Sequence, residues 1–497
     1  MSYTRKAVYG AGLIFLMSIL AAAVAYGIRI FLARKLGPAE YGLFSSVFAV
    51  VIIFLFVRDL GFPQAIVKYV AEFAAQQKYS HLTSLLGSAL IFEMIGSLLL
   101  AIPFFLLSDW LALAYFKDSR AAEMLQLFIL YLFGSVLFTI PKDTLLGFKK
   151  ITLFSLGDLL KNILVLGSMI WLFSLGYGIF SPVWAYVLVC PLLFIWYSAW
   201  LWRTFPFLKY KAAEFSIVAK QLFTFAVPVF ATAAGGKVIG YIDTLILTYF
   251  RSSVEVGIYN AVLPTALLFI YIGTAVSAVV FPLSAELSAQ KNFTKLKEGV
   301  RLLHSYLLLA ATPLIGLALV FAPFFMRILF GEEYISGSGA FQILILGVLL
   351  YLTATVNHTL LSALGKPWLV TMTILSSAAI NVILNFLFIP RLGIWGAAIA
   401  TSVSYLFALV WSTILITREL SLPAPWQRWG KVLAAGAIYS GVIYFIAQNI
   451  SLNSGLEMFI SAGTALIIYG LIIYKWKLID GAELKYYWKI LRKKQTL

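Results

Sequence analysis

Residues 33–45 read Ala33-Arg34-Lys35-Leu36-Gly37-Pro38-Ala39-Glu40-Tyr41-Gly42-Leu43-Phe44-Ser45, and the Glu40–Phe44 portion returns as Glu255-Val256-Gly257-Ile258-Tyr259. Farther along, Ala71-Glu72-Phe73-Ala74-Ala75-Gln76-Gln77-Lys78-Tyr79-Ser80-His81-Leu82 returns as Ala285-Glu286-Leu287-Ser288-Ala289-Gln290-Lys291-Asn292-Phe293-Thr294-Lys295-Leu296. Gln126 matches Gln342, and Leu175-Gly176 matches Leu392-Gly393, so the offset stays between 214 and 217 over some 140 residues. Apolar helices that resembled one another by chance would not keep register through polar loops. The sequence is an internal duplication.

What is duplicated is membrane-spanning. Of 497 residues, 62% are hydrophobic and 11% charged, and mean hydropathy is +0.96. Both a water-soluble domain and a disordered chain lie far from those figures. About 20 apolar residues cross a hydrocarbon core, and breaks at charged, Gly/Pro and Asn-rich positions define 14 spans. They are 8–33, 41–67, 83–107, 121–142, 151–174, 180–202, 218–249, 255–281, 301–327, 338–362, 367–389, 394–416, 431–448 and 456–474. Ala7 to Ile28 is uncharged over 22 residues, too long for a signal peptide, and reads as the first span.

Each repeat holds six spans, an even number, so both copies take the same orientation about an axis along the membrane normal. The expectation is an all-α polytopic protein: an N-terminal lobe at 1–210, a second at 211–420, and an extra helix pair with a basic cytoplasmic tail at 421–497. Two like lobes facing each other would enclose a central cavity, the usual place for a transporter to hold substrate.

The formal charge of +17 follows from topology. One set of loops and the termini hold 26 Lys and Arg residues against 7 in the other set, which puts both termini in the cytoplasm and removes nucleic acid as a partner. In the tail, Leu484, Tyr487, Trp488 and Leu491 share a helical face ringed by Lys485, Lys489, Arg492 and Lys493, the pattern of an interfacial anchor. Cys190 stands alone and no Cys/His spacing suggests a metal site.

Ionisable residues inside spans are costly and mark function by default. At about 1.5 Å per residue, Lys161 and Glu93 fall near the midplane. Arg58 and Asp59 lie about one turn to the cytoplasmic side. Lys237 lies slightly outward of the middle, Asp243 is further out, and Arg29 is close enough to the surface to snorkel. Arg58, Lys161, Lys237 and Arg29 are candidate ligands for an anionic substrate. Glu93, Asp243, Asp59 and Asp158 are candidates for proton or sodium coupling, because a carboxyl in low dielectric can exchange a proton. Asp158 and Lys161, three residues apart, could instead pair with each other. His358 with Asn357, and Asn381 and Asn385, read as helix–helix hydrogen bonds.

Residues 33–45, followed by Asp59-Leu60-Gly61-Phe62-Pro63-Gln64-Ala65, Val70-Ala71-Glu72 and the turn Leu364-Gly365-Lys366-Pro367, resemble the polysaccharide-biosynthesis flippase family. That family belongs to the multidrug/oligosaccharidyl-lipid/polysaccharide exporter superfamily. The resemblance implies movement of a polyprenyl-linked (diphosphate) oligosaccharide from the inner to the outer leaflet of the cell membrane by alternating access. It also implies a monomer, no cofactor and no enzyme activity, with cations gripping the diphosphate. A cation-coupled multidrug exporter and a lipid II flippase are the alternatives. An ATP-driven pump is disfavoured by the missing Walker A pattern, since Gly365-Lys366 is followed by Pro367.

Overall fold

A hydrocarbon environment leaves every backbone N–H and C=O to be satisfied within its own segment, which selects helices here. The computed structural model describes residues 3–206, 209–449 and 455–479, and among them the regular elements are all helical. In chain order they are α1 (Tyr3–Asp59), α2 (Phe62–Ala75), α3 (Tyr79–Leu106), α4 (Ser108–Leu111), α5 (Arg120–Gly147), α6 (Ile151–Ser174), α7 (Ser181–Thr204) and α8 (Phe215–Phe250). Then follow α9 (Ser253–Leu267), α10 (Ile270–Ala289), α11 (Phe293–Val320), α12 (Ala322–Phe330), α13 (Ser338–Ala363), α14 (Pro367–Leu392), α15 (Ile394–Leu420), α16 (Trp426–Asn449) and α17 (Gly455–Lys475). Among the described residues, eleven helical stretches are long and apolar enough to cross a membrane. The amphipathic tail segment falls outside the described residues.

By internal contacts the chain forms two compact units. Unit one runs to Ala261 and takes in Ile389–Ile394; unit two takes Val262–Phe388 and the described residues from Trp395 onward. Helix α8 packs against α1, α2 and α3 within unit one.

Two glycines in unit one divide the first 75 residues. Gly37 (φ 68°, ψ 172°) breaks α1 into two helical segments, and Pro38 opens the second with the fixed φ that suits a first turn. Gly61 (φ 82°) ends that second segment, and α2 starts with Pro63 in its first turn. One face of α2 carries Phe62, Ala65, Ile66, Val70 and Phe73 into a core shared with Leu82, Leu85 and Ala89 of α3, Val136 and Ile140 of α5, and Leu222 and Ala226 of α8. At Gly147 a Cβ would stand 2.6 Å from that of Val70, so α5 comes down directly onto α2.

The repeated motif packs against its own second copy. A Cβ on Gly42 would lie 1.7 Å from the Ser253 carbonyl oxygen, and one on Gly257 would lie 1.9 Å from that of Pro38. Each carbonyl belongs to the residue four before the opposite glycine, so the contact is reciprocal. Small residues at a crossing let helix backbones approach closely where lipid offers no hydrophobic drive for association. Around the crossing, Thr248 Oγ1 donates to Ser46 Oγ at 2.8 Å and the Tyr41 hydroxyl donates to the Asn260 carbonyl at 3.4 Å. Glu40, in the first turn after Gly37, pairs with Arg120 at 2.8 Å. Hydrogen bonds from Arg120 also hold the Asp118 carboxyl below its ordinary range.

Unit two is held by neutral amides and hydroxyls. His304 Nε2 of α11 is 2.7 Å from Asn357 Oδ1 of α13, and the Asn357 amide donates to Ser412 and Thr413 of α15. Asn381 donates to Thr401, and Asn385 to Asn381. The extra pair α16–α17 joins α11 through Trp429 Nε1, which donates to the His304 carbonyl at 2.6 Å, and the Tyr469 hydroxyl, which donates to the Leu309 carbonyl at 3.0 Å.

Gly42→Ala is expected to lower stability by about 1–3 kcal/mol, because backbone on both sides must move. Gly27→Ala, where nothing lies within 4 Å, is expected to be neutral. Thermal unfolding of the two purified variants in detergent separates these outcomes. Equal melting temperatures would mean the crossing is not close-packed.

Candidate functional site

The eight ionisable residues singled out from sequence all fall in unit one, and they sort into three environments. The first surrounds Arg58. Arg58 is only 2% exposed, and each of its three guanidinium nitrogens donates a hydrogen bond. Nε and Nη2 donate to Asp59 Oδ1 at 2.9 and 2.5 Å. Nη1 donates to the Leu132 carbonyl and to Ser135 Oγ on α5, both at 2.6 Å. Glu93 of α3, 1% exposed, places Oε2 at 3.9 Å from Nη2, and that oxygen has no hydrogen-bond partner. Gly96, one turn from Glu93, leaves room for the Arg58 stem, whose Cγ would lie 3.4 Å from a Cβ there.

Asp243 is sealed in a separate place. It is 1% exposed and accepts a 2.5 Å hydrogen bond from the Tyr259 hydroxyl, beside the glycine crossing.

The second environment is a charge ladder on α5 and α6. Lys142 Nζ donates to Asp158 Oδ1 at 2.5 Å and lies 4.7 Å over the Phe154 ring. Asp158 therefore takes Lys142, sixteen residues away, rather than Lys161 on its own helix. From sequence, Lys142 and Asp143 lie in a loop after the fourth span. Helix α5 instead runs on to Gly147, because the charge that suggested a break is neutralised from α6. Asp143 stands within electrostatic reach of Lys142, Asp59 and Asp158.

The third environment holds cations that form no ion pair among the described residues, although Asp158 acts on Lys161 and Asp59 on Lys237 at longer range. Lys161 is half-buried, with Cys190, Lys142 and Asp158 as its charged or polarisable neighbours; no ion pair or hydrogen bond engages it among the described residues. Its helix is pinned to α1 by Asn162, whose amide donates to the Ala21 carbonyl at 2.8 Å. Lys237 is exposed on α8 and lies 6.0 Å over the ring of Tyr241, one turn along. Arg29 is half-buried among tyrosines: it hydrogen-bonds Tyr41, and Tyr186 and Tyr241 lie close enough to interact with its charge. Tyr186 stacks on Phe48 at 4.9 Å and meets Tyr131 edge-on at 5.5 Å.

Sequence reasoning named these cations and missed the tyrosines around them. Tyr41 sits inside the quoted motif, but nothing local marks Tyr186 or Tyr241, which come from α7 and α8. Chemically, guanidinium and ammonium groups beside phenol hydroxyls and ring faces suit an anion attached to a polar, ring-containing body.

Helices of this length and apolarity, carrying charges in their interiors, define a multi-pass membrane protein. The polysaccharide biosynthesis protein family matches residues 7–288, more than half the chain, and MatE matches residues 228–387. The chain belongs to the polysaccharide biosynthesis family, within the multidrug/oligosaccharidyl-lipid/polysaccharide exporter superfamily. It is 27% identical to an uncharacterized membrane protein of Methanocaldococcus jannaschii over 98% of both chains. It is 22% identical to the probable low-salt glycan biosynthesis flippase Agl15 of Haloferax volcanii, over 94% of this chain and 92% of that one. Among solved structures, the lipid II flippase MurJ in an inward closed conformation shares the fold, with TM-score 0.74 at 17% identity over 94% of this chain and all of that one.

Arg58→Met strands Asp59 and Glu93 without their cation and is expected to cost about 3–5 kcal/mol. Adding Glu93→Gln is expected to recover part of that loss. The monodisperse fraction after detergent extraction measures both. A double variant no better than the single would show that Glu93 does not feel the Arg58 charge.

Proposed function

We propose that this protein is a flippase that carries a polyprenyl-linked (diphosphate) oligosaccharide from the inner to the outer leaflet, by alternating access, for cell-surface polysaccharide assembly. The observation that carries the reading is the third environment above. Among the described residues no ion pair engages Lys161 or Lys237, which Asp158 and Asp59 reach only at longer range, and Arg29 is flanked by tyrosines. Keeping unpaired cations in a low-dielectric protein is costly unless an anion visits them. A diphosphate is such an anion, and Tyr186 and Tyr241 offer hydroxyls and ring faces for the first sugars. Arg58 then serves as the fixed anchor of the site rather than a contact for substrate, since it is buried and four of its N–H donors are already used. Family membership and the likeness to Agl15 support the same substrate class.

In this reading the chain works as a monomer with both termini cytoplasmic, placed by its 26-to-7 loop cations. Dividing α1 at Gly37 and adding α8 and α17 to the eleven stretches brings the spans to fourteen, six in each repeat at 1–210 and 211–420 with two more after them. For coupling to H+ or Na+, Glu93 is the best suited of the four acids: Asp243 is bonded to Tyr259, Asp158 to Lys142, and Asp59 to Arg58. The MatE match over residues 228–387 favours one competing reading, a cation-coupled drug exporter, and the MurJ fold favours another, a lipid II flippase.

The Lys161→Ala/Lys237→Ala variant is expected to insert normally and to lose translocation by at least about tenfold, a loss of roughly 1.4 kcal/mol or more in transition-state stabilisation. Mass spectrometry of polyprenyl-linked glycans in a deletion strain complemented with this variant reads it directly. Accumulated glycan supports the proposal, and its composition separates a surface polysaccharide from a peptidoglycan precursor. Absence of any accumulated lipid-linked glycan, together with raised drug sensitivity, would point to the exporter.

A further inference from the structure

Among the described residues, positive charge outside any ion pair also gathers in unit two. A cavity of about 460 Å³ lies where the ends of α11, α16 and α17 meet the turn 421–425. Arg301, Arg428, Lys431 and Lys477 line it, and no Asp or Glu is among its lining residues. Four like charges around one cavity repel one another, and they do so more strongly as water is excluded.

Arg428 shows that the cavity is built rather than incidental. Its Nη2 donates to the Leu478 carbonyl at 2.6 Å and its guanidinium lies 5.5 Å over the Tyr306 ring, which fixes its orientation. Its Nε, by contrast, is buried and has no hydrogen-bond partner. A buried donor left unpaired is destabilising, and an anionic oxygen would remove that cost. The floor is rigid: Trp429, 4% exposed, is tied to the His304 carbonyl, and the His304 ring is tied in turn to Asn357.

The surroundings point to a membrane lipid as the source of the anion. Trp426 and Trp476 flank the cavity region at helix ends, where aromatic residues mark a membrane–water interface. A second, more open cleft of about 680 Å³ shares Gln427, Lys431, Trp476 and Lys477 with the first and runs on past Gly430 and Ala434 of α16. Nothing stands within 4 Å of a Cβ at Gly430, so that surface is open. A charged cavity that continues into a shallow channel along a spanning helix has the shape of a headgroup joined to an acyl or isoprenoid chain. Basic pockets between membrane helices bind such headgroups.

We propose that this cavity binds the phosphate group of an anionic membrane phospholipid, as a resident lipid of the α11–α16–α17 corner. The proposal does not rest on the flippase reading, and its test involves no transport.

The full chain, purified in neutral detergent, is titrated with dioleoylphosphatidylglycerol and with dioleoylphosphatidylcholine. Bound lipid is counted by native mass spectrometry and stability is followed by thermal unfolding. One phosphatidylglycerol is expected to be retained and to raise the melting temperature, while phosphatidylcholine is not. Arg301→Gln/Lys431→Gln is expected to weaken that binding roughly tenfold or more, and the charge-keeping Arg301→Lys/Lys431→Arg is expected to restore it. Because the second variant tests charge at the same positions, misfolding of the first would show as failure of both to elute as a single species. Equal retention of the two lipids, or full binding by the glutamine variant, would overturn the proposal. Parallel titrations with inorganic phosphate and with glycerophosphoglycerol separate the sources. Full protection by either, with no further gain from lipid, would assign the cavity to a soluble phosphate ester and overturn the lipid. Asp480 and Glu483 follow in the sequence outside the described residues. Neutralising both is expected to leave lipid binding unchanged, and a gain would mean the chain's own acids fill the cavity, which also overturns the proposal.

Discussion

A guanidinium cannot stay in a low-dielectric interior without compensation, and much of unit one is arranged around that requirement at Arg58. Its carboxylate partner is the next residue, its neutral acceptors come from α5, and a second acid approaches from α3. Three helices are thereby locked to one point. The same requirement explains why α5 extends past Pro141 with Lys142 and Asp143 on board: Asp158 supplies the counter-charge from α6. Pairing is what allows charge to remain within helices instead of forcing them to end.

Against that background, the cations that escape pairing gain meaning. Lys161 and Lys237 lie within electrostatic reach of Asp158 and Asp59, so their lack of an ion pair is not a shortage of acids in the region. Asp59 and Asp158 are at hand and are committed elsewhere. The tyrosines that surround Arg29 add hydrogen-bonding capacity without adding charge. In the proposed reading an anion would dock here without an internal ion pair having to break first.

Unit two solves the burial of polar groups differently. His304, Asn357, Ser412 and Thr413 connect three helices through neutral hydrogen bonds, and Trp429 extends the network to the added helix pair. Neutral networks avoid the large desolvation cost of ions and hold helices in a defined register. Positive charge in this unit is pushed to the helix ends, where it gathers around the cavity at Arg428.

The recurring motifs, the apolar spans, the polysaccharide biosynthesis family and the loop-charge asymmetry are all legible in the amino-acid sequence, because each depends on local composition or on spacing along the chain. So is the list of costly interior charges. Gly42 and Gly257 stand out as a repeated pair, but their reciprocal contact appears only once the two helices cross. Which acid serves which base was likewise out of reach. Asp158 has Lys161 three residues away yet pairs with Lys142, and Asp243 is satisfied by Tyr259 from the next helix. Tyr186 and Tyr241 carry no local mark of their place beside Arg29. Hydropathy reports how each segment meets lipid, whereas the partner of a buried charge is set by which helices touch and at what register. That is decided by packing between residues far apart in the chain, so the distinction between anchored and available cations belongs to the tertiary structure alone.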